Sequence, residues 1–245
     1  MNAKKKIATE VTLVIVDCVD VDLALKALAV SLCGFQPAEA KLLSHQRPAN
    51  CVADVTFVPI RQIESVRAYN EFMLFDLYKY VNTPFCLSVH ADGFVINPQA
   101  WNDIFLRYDY VGAPWPATAW NSRGSRVGNS GFCLRSRRLL KNTASLPSKY
   151  ITDHRKSRKT TVDDIFTCCD AYPLLSRTMS YAPMHVAWVF SREQPMLPGE
   201  PRQSLNLAGA FGFHGRMTPA TARACDRLKN ASLDECVRGL VNFCG

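Results

Sequence analysis

An apolar run that breaks on a carboxylate and a glycine sets the first limit on this chain. Phe85-Cys86-Leu87-Ser88-Val89 has the length of a strand. It is followed at once by His90-Ala91-Asp92-Gly93 and then by Phe94-Val95-Ile96-Asn97-Pro98. In an open α/β sheet, ligands sit just beyond the carboxyl ends of the strands. Asp92 and Gly93 stand at such an end, where a chain meets a ligand or a metal. Two further segments extend the stretch: Tyr108-Asp109-Tyr110-Val111-Gly112-Ala113-Pro114-Trp115 and Val127-Gly128-Asn129-Ser130-Gly131-Phe132-Cys133-Leu134-Arg135. The two glycines before the Phe132–Leu134 strand let backbone approach a ligand closely.

The residues upstream read as a β-α-β opening. Val11 to Val16 is a β-branched run ended by Asp17. Leu23, Ala24, Ala27, Leu28 and Leu32 follow at helical spacing, with Asp20 or Asp22 as the cap and Gly34 as the stop. Short strands are predicted over 40–43 and 52–58, and a long helix over 65–81 in which Tyr69, Phe72, Met73 and Leu77 form a packing stripe. No Gly-x-Gly-x-x-Gly occurs, so a Rossmann dinucleotide site is excluded. Downstream, a helix is predicted from Asn97-Pro98 to Phe105, a strand over 109–112, a loop over 113–126, and a basic helix from Ser136 to Lys141. Residues 145–160 read as a mobile basic loop. Thr161 can cap a helix starting Val162-Asp163-Asp164, 181–191 reads as a strand, and a last helix runs from Thr218-Pro219 to Leu240.

Charge is unevenly spread. Residues 121–160 hold eleven Lys and Arg and one acid, a sum of +10, so with a net charge of +8 the other residues sum to −2. A local basic segment is either a solvated loop or a surface for an anionic partner. None of the ten cysteines forms a Cys-x-x-Cys pair, and most lie in apolar runs, so reduced structural thiols are expected. No apolar run approaches the length of a membrane span. The basic start, Lys4-Lys5-Lys6, runs into Glu10 and Asp17 rather than a leader-like apolar core, and a cytoplasmic location is expected.

Four features occur in order: a strand-end carboxylate (Asp92), a Gly-Asn-Ser-Gly loop (128–131), an Asp-Asp pair opening a helix (Asp163, Asp164), and a late His in a glycine-rich loop (His214). This order resembles the GT-A glycosyltransferases. The wording of 69–74, 92–98, 108–115 and 128–136 is similar to the DUF5672 family, a glycosyltransferase-like group, and the resemblance extends over roughly 11–215. It implies an α/β GT-A fold, Rossmann-like, with a mixed central sheet flanked by helices. It implies one domain over 1–245, with a nucleotide-binding half at about 11–112 and an acceptor half at about 113–245.

The same resemblance implies the chemistry. A divalent metal, Mn²⁺ or Mg²⁺, is expected on Asp92 and His214. A UDP-sugar donor is expected against Asp17, Arg67, Asn70, His90, Asp92, Gly128, Asn129 and Gly131. Asp164 is expected as the base that activates an acceptor hydroxyl, giving inversion, with Asp163 orienting donor or acceptor. Where the family has Asp-x-Asp, this chain has His90-Ala91-Asp92, which leaves one carboxylate. By residue type alone, His90 is a ligand, a sugar contact or a satisfied strand-end histidine. Asp163-Asp164 is equally a pair of helix-start acids. Trp115 and Trp120 either stack on sugars or pack. The expected acceptor is anionic: a glycan, a lipid-linked glycan or nucleic acid. The alternatives are a transferase acting on modified bases of viral DNA, and a non-catalytic nucleotide-sugar binding module.

Overall fold

Strand β1 spans Lys6–Val16, starting before the β-branched run because its polar first half also pairs with a neighbour. Helix α1 (Val21–Leu32) is capped by the Asp20 carboxylate on the Leu23 amide. Strand β2 runs from Phe35 to Ser44, longer than the predicted 40–43, because its register with β1 continues across an irregularity between Ala8 and Thr12. Strand β3 is confined to Thr56–Pro59. The computed structural model describes residues 5–118, 121–122, 124–158, 162–194, 207 and 209–243.

The long helix expected over 65–81 is two pieces. Helix α2 (Val66–Phe75), capped by Ser65, ends at Asp76, and Leu77–Tyr80 tightens into a 3₁₀ turn. Strand β4 (Phe85–Val89) follows. The predicted helix after Pro98 is instead two 3₁₀ turns, Pro98–Ala100 and Asp103–Arg107, parted by buried Trp101 and by Asn102, which caps the second turn. Then come β5 (Tyr110–Val111), β6 (Ala113–Pro114), β7 (Val127–Gly128) and β8 (Cys133–Ser136). The Ser136 hydroxyl caps α3 (Arg137–Ala144).

Residues read as a basic loop form α4 (Ser148–Arg158). Its apolar face is narrow: half-buried Tyr150 and Ile151, then buried His154 one turn on. A short α5 (Asp163–Ile165) passes into a π turn over Phe166–Asp170, and α6 (Tyr172–Leu175) follows. The predicted strand at 181–191 is helix α7 (Met184–Phe190) up to its last residue, which opens β9 (Ser191–Arg192). Val186, Ala187 and Phe190 are the buried positions, a helical spacing hidden in a run that is apolar but for His185. Strand β10 (Gly212–Phe213) pairs with β9. The final helix is broken into α8 (Pro219–Asn230) and α9 (Leu233–Arg238), since Ser232 and Glu235 form a capping box that starts a new helix.

The central sheet has the order β3-β2-β1-β4-β8-β5. β3, β2, β1 and β4 are parallel, and β8 is antiparallel to both β4 and β5. The sheet is therefore mixed, as expected. β1 shows why it is apolar on both sides. Leu13 and Ile15 share a core with Ala24 and Leu28 of α1, whereas Val14 and Val16 pack with Met73 of α2 and with Leu77. The nine described cysteines are free thiols, and no described helix is long and apolar enough to cross a membrane.

Candidate functional site

Because β1 and β4 are parallel neighbours, their carboxyl ends open on one edge of the sheet. Asp17 follows β1, and His90-Ala91-Asp92 follows β4. Between them lies a cavity of about 480 Å³, closed on the far side by Ser65, Val66 and Tyr69 of the α2 start. Its other walls include Val16, Cys18, Val19 and Ile63, and no lysine or arginine lines it among the described residues. Asp17 Oδ1 accepts the Val19 and Asp20 amides at 2.7 and 2.8 Å, and burial pushes its carboxyl above the usual range.

At the mouth of the cavity His90, Asp92 and His214 converge, each offering one ligand atom within 4.8 Å of the others. A tight turn, His90 N–H to Gly93 O at 2.7 Å and Gly93 N–H to His90 O at 3.1 Å, holds the first two. His214 follows β10 from the far end of the sequence. Its amide donates to Arg192 O at 2.9 Å, and the next amide, Gly215, donates to Asp92 O at 2.8 Å. His214 Nε2 lies 3.5 Å from Asp92 Oδ1, and His90 Nδ1 lies 3.9 Å from the same oxygen. The Tyr69 hydroxyl holds the other His90 nitrogen, Nε2, at 2.5 Å, which leaves Nδ1 facing Asp92. The imidazole of His214 lies directly over Gly131: a Cβ there would stand 2.1 Å from its Nε2.

The charges are coupled. Burial works to raise the Asp92 carboxyl, but hydrogen bonding and charge from His214 outweigh it and hold it at about 2. Burial works to strip the proton from His214, yet Asp92 and Glu193 keep it, up to about 10. His90 is pushed down to about 3 by burial and then by the charge on His214. Two further side chains hold His214 at Nδ1. Asn129 Nδ2 is 2.9 Å away and Glu193 Oε1 is 3.7 Å away. Glu193 is itself anchored by the indole N–H of Trp115 at 2.9 Å.

The Asp-Asp pair divides into two environments. Asp163 is buried. It accepts the Ser130 hydroxyl at 2.7 Å and faces Arg135 at 3.4 Å, while its amide donates to Asn70 Oδ1 at 2.9 Å. Arg135 also reaches Ser88 Oγ on β4 at 3.1 Å. Asp164 is only half-buried. Burial first, and then repulsion from Asp163 and Glu193, raise its carboxyl to about 7, while His214 acts in the opposite direction. Asp164 therefore shares an electrostatic environment with the His90–Asp92–His214 cluster.

The structure thus brings together His90, Asp92, Asn129, Gly131, Asp164 and His214, with Asp17 across the cavity. Arg67 and Asn70 do not line that cavity. Arg67 is exposed and pairs with Glu71 at 2.9 Å, and Asn70 is turned inward toward Asp163. Gly128 serves packing, since a Cβ there would stand 2.0 Å from the Trp115 ring. Trp115 is buried rather than presented to a sugar. Trp120 and Thr161 lie outside the described residues. The basic segment is not one free face. Arg126 donates to Trp115 O at 2.9 Å and Arg137 to Val81 O at 2.5 Å. Arg138 pairs with Asp109 at 2.6 Å, and Arg155 pairs with Glu71. Glu193, Tyr69 and Arg135 are site residues that the sequence pattern did not single out. Tyr69 reads as core stripe and Arg135 as part of a charge run, and Glu193 carries no motif.

No curated protein matches the sequence. Among solved structures, the apo form of the glycosyltransferase GlyE from Streptococcus pneumoniae TIGR4 superposes with a TM-score of 0.53 at 11% identity, over 95% of this chain and 63% of that one. A second GlyE structure gives 0.52 at 11% identity, over 92% and 62%. The mannosyltransferase PcManGT from Pyrobaculum calidifontis, in complex with GDP-Man and Mn²⁺, gives 0.45 at 10% identity, over 73% and 56%. This chain spans less than two thirds of the length of these structures. At such identity the likeness to GlyE is one of fold, and the fold is that of the GT-A glycosyltransferases. Residues 53–214, more than half of the chain, match the family described as "Protein of unknown function (DUF5672)", and the chain belongs to that family.

Proposed function

We propose that this protein is a metal-dependent glycosyltransferase that moves a sugar from a nucleotide-sugar, a UDP-sugar, to an acceptor hydroxyl with inversion. The observation that carries the proposal is the His90–Asp92–His214 cluster at the mouth of a cavity walled by the carboxyl ends of β1 and β4. A diphosphate entering that cavity meets no lysine or arginine among its described lining residues. Its charge has to be met at the cluster. Two imidazoles and one carboxylate form a donor set that suits Mn²⁺ better than Mg²⁺, which favours all-oxygen ligation. A divalent ion held by these three residues would neutralise the charge that develops on the departing diphosphate.

The chain's own groups supply the rest. Asp17 accepts from the base imide or a ribose hydroxyl. Asp164 takes the acceptor proton: a carboxyl held near neutrality is suited to act as a general base at physiological pH. Asp163, fixed by Ser130 and Arg135, keeps its neighbour aimed at the cleft. Removal from the face opposite the leaving group corresponds to in-line displacement and inversion. The test is UDP release from UDP-sugars with Mn²⁺, in the wild type and in Asp164→Asn. Turnover should vanish in excess EDTA. Asp164→Asn should keep donor binding while losing transfer by about 10²–10⁴-fold, the size of a general-base contribution. Undiminished turnover in EDTA, or near wild-type transfer by Asp164→Asn, overturns the assignment.

A further inference from the structure

We propose that Glu193 is a positioning residue that frees His214 Nε2 to ligate a divalent cation, and that it does so against Asn129, which holds the ring in the opposite state. The inference rests on the reading of His90, Asp92 and His214 as a metal site. It concerns which nitrogen of His214 carries the proton.

The amide of Asn129 has one orientation open to it. Its Oδ1 accepts the Gly131 and Phe132 amides at 2.7 and 3.3 Å, and the residue is fully buried in a left-handed conformation with φ of 77°. Its NH₂ group must therefore face His214 Nδ1, at 2.9 Å. An amide NH₂ can only donate. Satisfying it requires a bare Nδ1, which in the neutral ring leaves the one proton on Nε2, toward Asp92 Oδ1 at 3.5 Å. A protonated Nε2 has no lone pair for a metal.

A metal-ligating histidine instead donates its other ring N–H to a carboxylate, carbonyl or water. On the Nδ1 side of His214 the carboxylate is Glu193, whose Oε1 lies 3.7 Å away. Its other oxygen is fixed by the buried indole of Trp115 at 2.9 Å, so the carboxylate pivots without leaving its seat. Closing the gap to a charge-assisted length of about 2.8 Å takes a movement of roughly 0.9 Å. Such a bond is about twice as strong as a neutral one, so Glu193 can displace the Asn129 contact. In either protonation state of the metal-free ring, the Asn129 NH₂ disfavours a proton on Nδ1 and the Glu193 carboxylate favours one.

Three measurements test this on the full chain, with metal ion alone as the probe. Mn²⁺ titration followed by electron paramagnetic resonance should show Glu193→Gln binding about 10–100-fold more weakly than wild type, the usual effect of losing such a partner. Glu193→Asp keeps the charge but withdraws the carboxylate, and should also weaken binding; undiminished affinity there means charge alone is at work and overturns the positioning role. In an Asn129→Gly background, which tolerates the left-handed backbone and lacks the NH₂, the cost of Glu193→Gln should shrink at least threefold. An unchanged cost overturns the competition. Nitrogen-15 histidine spectra of the wild type should show His214 Nε2 losing its proton and Nδ1 carrying one when Zn²⁺ is added; a proton that stays on Nε2, or a bare Nδ1 in the loaded protein, overturns the inference without any variant. A wild type that binds no Mn²⁺ sinks the metal reading itself, whereas normal Mn²⁺ binding with an indifferent Glu193→Gln sinks only this inference.

Discussion

Gly131→Ala should break up the His90–Asp92–His214 cluster, the proposed metal site, while leaving the fold in place. A Cβ at 131 would stand 2.1 Å from His214 Nε2 and Cδ2 and 2.7 Å from Cε1. Ordinary contact is about 3.5 Å, so the ring must withdraw by roughly 1.4 Å. The backbone at 131 cannot give way instead, because its amide is tied to Asn129 Oδ1 at 2.7 Å. His214 is pinned through its own amide to Arg192, so the imidazole swings and Nε2 leaves Asp92 and His90. A displacement of about 1 Å in a positioned group costs on the order of 10²-fold. The Mn²⁺ dissociation constant should rise by that factor. Stability should change far less. Overpacking costs about 1–3 kcal/mol and the lost freedom of the unfolded glycine returns about 0.4–1 kcal/mol. At about 2–4 °C per kcal/mol for a chain of this size, Tm should fall by less than about 10 °C. The assay is Mn²⁺ titration beside thermal denaturation of the same sample. A variant that melts near wild type and binds Mn²⁺ within threefold of it refutes the argument that His214 ligates from this position.

Two more outcomes follow from burial and charge. The rate at saturating donor should rise with pH around a midpoint near 7, as Asp164 loses its proton, and the rise should be absent from Asp164→Asn. The sign for stability is opposite. A carboxyl raised in the folded state loses stability as pH climbs from its unfolded value, about 3.9, through its folded one. Asp164→Asn should therefore melt higher than wild type above pH 7 and converge with it below pH 4; a lower Tm at pH 8 contradicts the raised carboxyl. Arg135→Met should cost about 3–5 kcal/mol, because it strands buried Asp163 without its cation. The melting temperature should drop by roughly 6–20 °C. A drop under 2 °C would mean that Asp163 is satisfied without Arg135.

The site was legible in the sequence where it lies on strand ends and glycine loops. Asp17, Asp92 and the 128–131 loop each follow or precede an apolar run, so local pattern places them. Residues whose role depends on distant partners were not legible. Tyr69 falls on the packing face of α2, and only the fold carries its hydroxyl to His90 Nε2. Arg135 counts as one more charge in a basic run, because linear charge cannot distinguish a solvated arginine from one buried against Asp163. Glu193 follows α7, a stretch apolar but for His185, so neither the helix nor the direction of the carboxylate could be read. Helix α4 failed for the opposite reason. Its buried face amounts to His154, whose Nδ1 meets Asp170 at 2.5 Å and whose Nε2 accepts the Val162 amide at 3.0 Å. Such a face leaves no hydrophobic period to detect.

The single carboxylate of the His90-Ala91-Asp92 motif belongs to a candidate site that is built as one connected unit. Ser88, two residues before His90 on β4, accepts from Arg135 on β8. Arg135 faces Asp163, and Asp163 takes the Ser130 hydroxyl from the same loop that presents Asn129 and Gly131 to His214. The strand end that carries Asp92, the loop beneath His214 and the turn that carries Asp164 are thereby tied through one buried ion pair. On the proposed reading, this network would hold Asp92 and His214 in place where a second acidic ligand is missing. Loss of Arg135 should consequently weaken Mn²⁺ binding and slow transfer together, although its bonds run to Asp163 and Ser88 and to none of the three proposed ligands, whereas a site in which the two halves were independent would lose only one.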